Sequence, residues 1–114
     1  MEYVNLGKTN IRISKIGLGT WQWGSASWGY GKSYFFEDIK EAFKTAIDNG
    51  INFIDTAEIY GDGESGEIIG RLSEGYRENL VIATKVSPMH LTYRGVLRAF
   101  EGSTKRLQTN LMHH

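Results

Sequence analysis

The chain contains no cysteine, which excludes disulfides, thiolate metal sites and a thiol nucleophile together and suits a reducing compartment. It has no excess of charge of either sign. Thirteen Lys and Arg balance thirteen Asp and Glu, so no broad field steers it toward nucleic acid or an anionic membrane surface. No apolar run approaches the roughly 20 residues of a membrane span, and the start MEYVNLGK lacks the basic-then-apolar pattern of a signal peptide. The three histidines have no metal-ligand spacing. No linker, low-complexity tract or charge block divides the chain. These absences predict a cytoplasmic single domain, or part of one, whose partner is a small molecule. At 114 residues, 40% hydrophobic and 23% charged, it is long enough to form a core.

What is present is an alternation of periods. Val4 and Leu6, then Ile11 and Ile13, alternate with polar residues around Gly7-Lys8-Thr9-Asn10, which predicts a β-hairpin with four apolar side chains on one face. Ile16 to Gly19 reads as a short strand, followed by a glycine- and tryptophan-rich loop to about residue 34. Loops of that length are usually functional. Phe36, Ile39, Phe43, Ala46 and Ile47 recur at helical spacing, with Glu37 and Asp38 at the start and Gly50 past the end. Ile51 to Ile54 predicts a strand, and Ile68, Ile69 and Leu72 a brief helix stopping near Gly75. Leu80 to Ala83 predicts a strand buried on both faces. A third helix, opened by Thr92, places Val96, Leu97, Phe100 and Leu107 on its inner face, weakened by Gly95 and Gly102 at about 1 kcal/mol each.

Strand–helix alternation implies a parallel sheet, either doubly wound and open or a (β/α)8 barrel. Both gather ligands at the carboxyl ends of the strands. Residues 55 to 66, DTAEIYGDGESG, bear on the choice. Gly61, Gly63 and Gly66 spell the G-x-G-x-x-G of an open-sheet dinucleotide-binding domain. In that fingerprint the first glycine follows the strand almost directly, and an acidic residue closes the next strand. Here Asp55 to Tyr60 intervene, and the next strand ends in Lys85. The head of the stretch fits a different chemistry. Asp55 at one strand end, Tyr60 on the following loop and Lys85 at the next strand end project from one rim. A phenol can donate a proton to an oxyanion, a neighbouring ammonium stabilises the phenolate left behind, and a carboxylate keeps that ammonium charged and in place.

Leu6-Gly7-Lys8-Thr9, Gly17-Leu18-Gly19-Thr20-Trp21, Gly50 to Ala57 (GINFIDTA), Tyr60 to Ser65 (YGDGES) and Ala83-Thr84-Lys85 together resemble the aldo-keto reductases, over about residues 3 to 109. The resemblance implies a (β/α)8 TIM barrel capped by the N-terminal hairpin, here only a partial barrel of hairpin plus three βα units, and a cofactor of NADPH or NADH. By the same resemblance Tyr60 is the general acid in reduction of a small aldehyde or ketone, with Lys85 and Asp55 as its supports. Thr20, Trp21 and Asp55 fall where the family touches the nicotinamide ribose and substrate. Trp21, Trp23, Trp28 and Tyr60 would wall the substrate pocket. Glu58 and His90 read as solvated loop residues, and Arg106 as a charge on the outer helix face.

Three departures stand out. Gly66 replaces a glutamate of the family, Thr104 replaces a leucine, and after Thr109 the fourth strand with its catalytic histidine does not follow. His113 lies too near the helix end to take that histidine's place. The expectation is therefore a truncated N-terminal part of a reductase barrel that does not turn over alone. A non-catalytic module that self-associates through exposed sheet edges, and an open-sheet dinucleotide binder, are the alternatives.

Overall fold

A computed structural model describes residues 1–108; the expectation about His113 falls outside them. Strands β1 (Tyr3–Asn5) and β2 (Arg12–Ser14) pair antiparallel with Val4 opposite Ile13. The turn closes because Thr9 Oγ1 donates to the Leu6 carbonyl at 2.6 Å and accepts from Ile11 N–H at 3.1 Å. Asn52 fixes this hairpin to the rest of the chain. Its Oδ1 accepts from Ser14 N–H at 2.7 Å, and its Nδ2 donates to the Arg12 carbonyl at 3.0 Å.

Strands β3 (Leu18–Gly19), β4 (Phe53–Asp55) and β5 (Val81–Ala83) form a parallel sheet in that order, with Leu18, Ile54 and Ile82 in register. Helices α1 (Phe36–Asp48), α2 (Glu64–Leu72) and α3 (Tyr93–Arg106) each follow one strand. The result is an N-terminal hairpin plus three βα units, the partial barrel expected, with the hairpin anchored at the N-terminal end of β4 and Asp55 at the opposite end.

Local chemistry explains the helix ends. Asp38 accepts from Phe35 N–H at 2.8 Å at the start of α1. At its end, Gly50 at φ +89° lets Gly50 and Ile51 N–H reach the carbonyls of Ile47 and Ala46, both at 3.0 Å, which satisfies carbonyls the helix leaves open. Thr92 caps α3 by accepting from Gly95 N–H at 2.9 Å. The core gathers Trp23, Ile39, Phe43, Ile54, Ile68, Ile69, Leu80 and Leu107.

Two expectations fail here for physical reasons. Strand β5 is half-buried along its length, because it is an edge strand of this sheet among the described residues. Leu107 is buried as expected, but helix α3 otherwise turns another face inward: Ala99 and Ser103 are buried, while Val96, Leu97 and Phe100 are exposed. Small residues turn inward because α2 and α3 approach closely. A β-carbon on Gly70 would lie 2.2 Å from the Arg106 carbonyl oxygen.

Candidate active site

The rim is built by extending the parallel ladder beyond its strands. Gly19, Asp55 and Ala83 are in register, and then Thr56 N–H donates to the Ala83 carbonyl at 2.8 Å and Glu58 N–H to the Lys85 carbonyl at 3.0 Å. Asp55 and Lys85 therefore sit on adjacent chains at one end of the sheet. Lys85 Nζ donates to Asp55 Oδ1 at 2.8 Å and to the Thr56 carbonyl at 2.7 Å. The ammonium lies 5.4 Å from the centre of the Tyr60 ring, within cation–π reach. Both partners of the ion pair are about half exposed, so its contribution to stability is small. Its effect is to aim the lysine.

Tyr60 begins a 3-10 turn, Tyr60–Gly63, that leads into α2. Gly61 and Asp62 both adopt left-handed backbone, at φ +59° and +54°. At Gly61 only glycine fits: a β-carbon would approach the Trp23 carbonyl oxygen at 3.0 Å and the Gly24 carbonyl at 3.1 Å. A β-carbon on Gly63 or Gly66 would meet the Arg106 side chain, at 3.2 and 3.5 Å. All three glycines of the apparent dinucleotide fingerprint thus face protein. They serve loop and helix packing, and their neighbours leave no cradle for a pyrophosphate.

Trp21 extends the rim. It is 61% exposed, its ring centre stands 6.4 Å from that of Tyr60, and Trp28 meets it edge-on at 5.4 Å. Trp23 departs from the expected pocket wall. It is 4% exposed and belongs to the core, because the turn in which Trp23 N–H donates to the Thr20 carbonyl carries its ring inward. Tyr34 donates its hydroxyl to the Gln22 carbonyl and pins the same loop. Burial, and secondarily Tyr30, raise the pKa of the Tyr34 phenol, which makes it a poorer acid than an ordinary tyrosine.

Thr20 is fully buried. Its hydroxyl donates to the Asp55 carbonyl at 3.0 Å, and Ser65 Oγ lies 3.0 Å from that hydroxyl, 2.9 Å from the Thr20 carbonyl and 3.4 Å from Thr56 Oγ1. Thr20 therefore braces the rim from behind and presents no hydroxyl to a ligand. Ser65, which was given no role of its own in the sequence, is the hub of this network; its signal was its place at the end of the YGDGES motif, a small polar residue among glycines at a helix start.

The loop residues differ from expectation as well. Glu58 has a side chain only 9% exposed; its Oε1 lies 2.5 Å from His90 Nδ1, and its Oε2 accepts from Ser87 N–H at 3.1 Å. The pair clasps the loops after β4 and β5, so neither residue is merely solvated. Arg106 is half-buried and folds over Gly63, Gly66 and Gly102, not outward, at the point where the end of α3 backs closely onto α2 at Gly70. Among the described residues no His, Cys, Asp or Glu cluster could hold a metal, and no helix is long and apolar enough to cross a membrane.

A model of the aldo/keto reductase family matches residues 15–113. The chain belongs to the aldo/keto reductase family. It is 42% identical to an uncharacterized oxidoreductase of Mycobacterium tuberculosis over 87% of this chain and 31% of that protein. It superposes on the thermostable aldo-keto reductase Tm1743 with a TM-score of 0.83 at 41% identity, covering 98% of this chain and 40% of that one. An aldo/keto reductase of Klebsiella pneumoniae, solved with NADP and acetate, superposes with a TM-score of 0.76 at 36% identity over 89% of this chain and 34% of that one. This aldo/keto reductase chain thus spans about a third of the length of the curated relatives it matches. Its hairpin and three βα units correspond to the N-terminal part of their (β/α)8 barrel.

Proposed function

We propose that these residues supply the proton-donating corner of an NAD(P)H-dependent reductase of small aldehydes and ketones, acting in the cytoplasm. The observation that carries this reading is the Lys85 ammonium, held by Asp55 at 2.8 Å and by the Thr56 carbonyl while it lies 5.4 Å from the Tyr60 ring centre. Tyr60 gives its hydroxyl proton to the carbonyl oxygen as charge develops there, and the Lys85 ammonium stabilises the phenolate that remains. A positioned acid of this kind contributes roughly 10²–10⁴-fold. Asp55 keeps the lysine aimed. Nicotinamide, when bound, supplies the hydride that adds to the carbonyl carbon.

The donor set fits the nicotinamide end of such a cofactor. Asp55 keeps a half-exposed carboxylate able to accept from a ribose hydroxyl, and exposed Trp21 offers a flat apolar wall beside Tyr60. Thr20 acts in this reading through the Asp55 main chain. Trp21 and Trp28 line the substrate side. The test is Tyr60→Phe in a complete barrel built on these residues, followed as NADPH consumption with a reactive aldehyde. Loss of turnover with binding of NADPH retained supports the reading, and unchanged turnover sinks it.

A second reading, a non-catalytic module that associates with itself, draws on the exposed Val96, Leu97 and Phe100 of α3 and on exposed Met89, Leu91 and Tyr93 nearby. In that case the 114-residue chain forms concentration-dependent oligomers by light scattering, and Tyr60→Phe changes nothing measurable.

A further inference from the structure

On the α3 side of the Glu58–His90 clasp, a cavity of about 310 Å³ opens against Arg98 and Arg106. Gly95 and Gly102 lie in its lining, and the His90 carbonyl closes over Gly95, where a β-carbon would stand 2.7 Å from that oxygen. Arg106 is not free to swing away. Its side chain lies over Gly63 and Gly66, and a β-carbon on Gly102 would sit 3.1 Å from Nη1. Among the described residues neither arginine forms an ion pair, and the one hydrogen bond of the Arg106 guanidinium is to Ser103 Oγ at 3.4 Å. The carboxylate in the cavity wall, Glu58, is turned to His90 and Ser87 N–H and pairs with neither arginine, so it offsets at most one of the two guanidinium charges.

Two guanidinium groups without carboxylate partners, converging on one cavity in a chain of zero net charge, make a local electropositive pocket. Guanidinium donors match the oxygens of a phosphate with charge-assisted bonds. The volume exceeds what a bare phosphate needs and lies at the lower end of small-ligand pockets, about 300–1,000 Å³. We infer that the cleft between the Glu58–His90 clasp and α3 binds a small phosphomonoester, with its phosphate on Arg98 and Arg106. The site does not include Tyr60, Lys85 or Asp55 and does not rest on the reductase reading.

The test is thermal unfolding of the full chain titrated with glycerol 3-phosphate, with inorganic phosphate in parallel and chloride holding ionic strength constant. A saturable rise in Tm is expected with the ester, at lower concentration than with inorganic phosphate. Arg106→Met, which keeps the aliphatic stem on the glycines, and Arg98→Gln, at an exposed position, should each raise the apparent Kd roughly tenfold, the loss of one charge-assisted contact. Tyr60→Phe should leave binding unchanged. A rise that chloride reproduces, one that survives both arginine variants, or an ester that binds no better than inorganic phosphate overturns the assignment.

Discussion

Lys85 Nζ stands 2.8 Å from Asp55 Oδ1 across two adjacent parallel strands, with both side chains about half in solvent. An exposed pair of this kind stabilises a fold by about 0–1 kcal/mol, too little to explain such a placement by stability. Lys85→Met in a complete barrel should therefore lower kcat roughly 10²–10⁴-fold while moving the unfolding free energy by about 1 kcal/mol or less. Steady-state kinetics beside urea unfolding separates the two effects. A variant that unfolds easily and turns over normally would reverse the assignment.

The tryptophans should divide in the opposite sense. Trp23 is 4% exposed within the core, and Trp21 is 61% exposed beside Tyr60. Truncating a buried aromatic leaves a cavity and costs about 3–5 kcal/mol, so Trp23→Ala should unfold the chain or nearly so. Trp21→Ala should leave the urea midpoint almost unchanged and raise KM for apolar aldehydes. Equal destabilisation by both would place Trp21 in the packing of the fold.

The order of strands and helices was legible because periodicity reports burial, and both ends of α1 and the start of α3 carried a chemical marker, in Asp38, Gly50 and Thr92. The Asp55, Tyr60 and Lys85 rim was legible because strand ends in a parallel sheet share one side. Helix α3 was misread for a clear reason. Its apolar stripe, Val96, Leu97 and Phe100, is exposed, and the face that meets α2 is chosen by how closely two backbones approach at Gly70, a quantity with no periodic signature. The same blindness hid Arg106 over the glycines and the Glu58–His90 clasp, since partners 32 residues apart leave no local trace. Trp23 was misplaced because a loop of three tryptophans does not say which ring its turns carry inward.

The two central glycines of α2 make a paired test of that close approach. A β-carbon at Gly66 would meet Arg106 at 3.5 Å, ordinary contact, while one at Gly70 would stand 2.2 Å from the Arg106 carbonyl oxygen. Gly66→Ala should gain up to about 1 kcal/mol from helix propensity. Gly70→Ala should lose more than it gains, because backbone must move to admit the methyl group. Chemical denaturation of the two variants gives shifts of opposite sign; matching signs would mean that α2 and α3 are farther apart than described.

Asn52 joins the hairpin to the sheet through one amide: Oδ1 accepts from Ser14 N–H at 2.7 Å and Nδ2 donates to the Arg12 carbonyl at 3.0 Å. Ser14 is buried, so removing the acceptor strands a donor that water reaches poorly, at about 1–3 kcal/mol. Asn52→Ala should cost that much. It should also speed amide hydrogen exchange in Arg12–Ser14 while Phe53–Asp55 stays protected, because the parallel ladder to Val81–Ala83 does not use the Asn52 side chain. Asn52→Asp keeps the acceptor and loses the donor to Arg12, and should fall between. If exchange rises equally in both segments, the hairpin and sheet open as one unit, and Asn52 is not the joint between them.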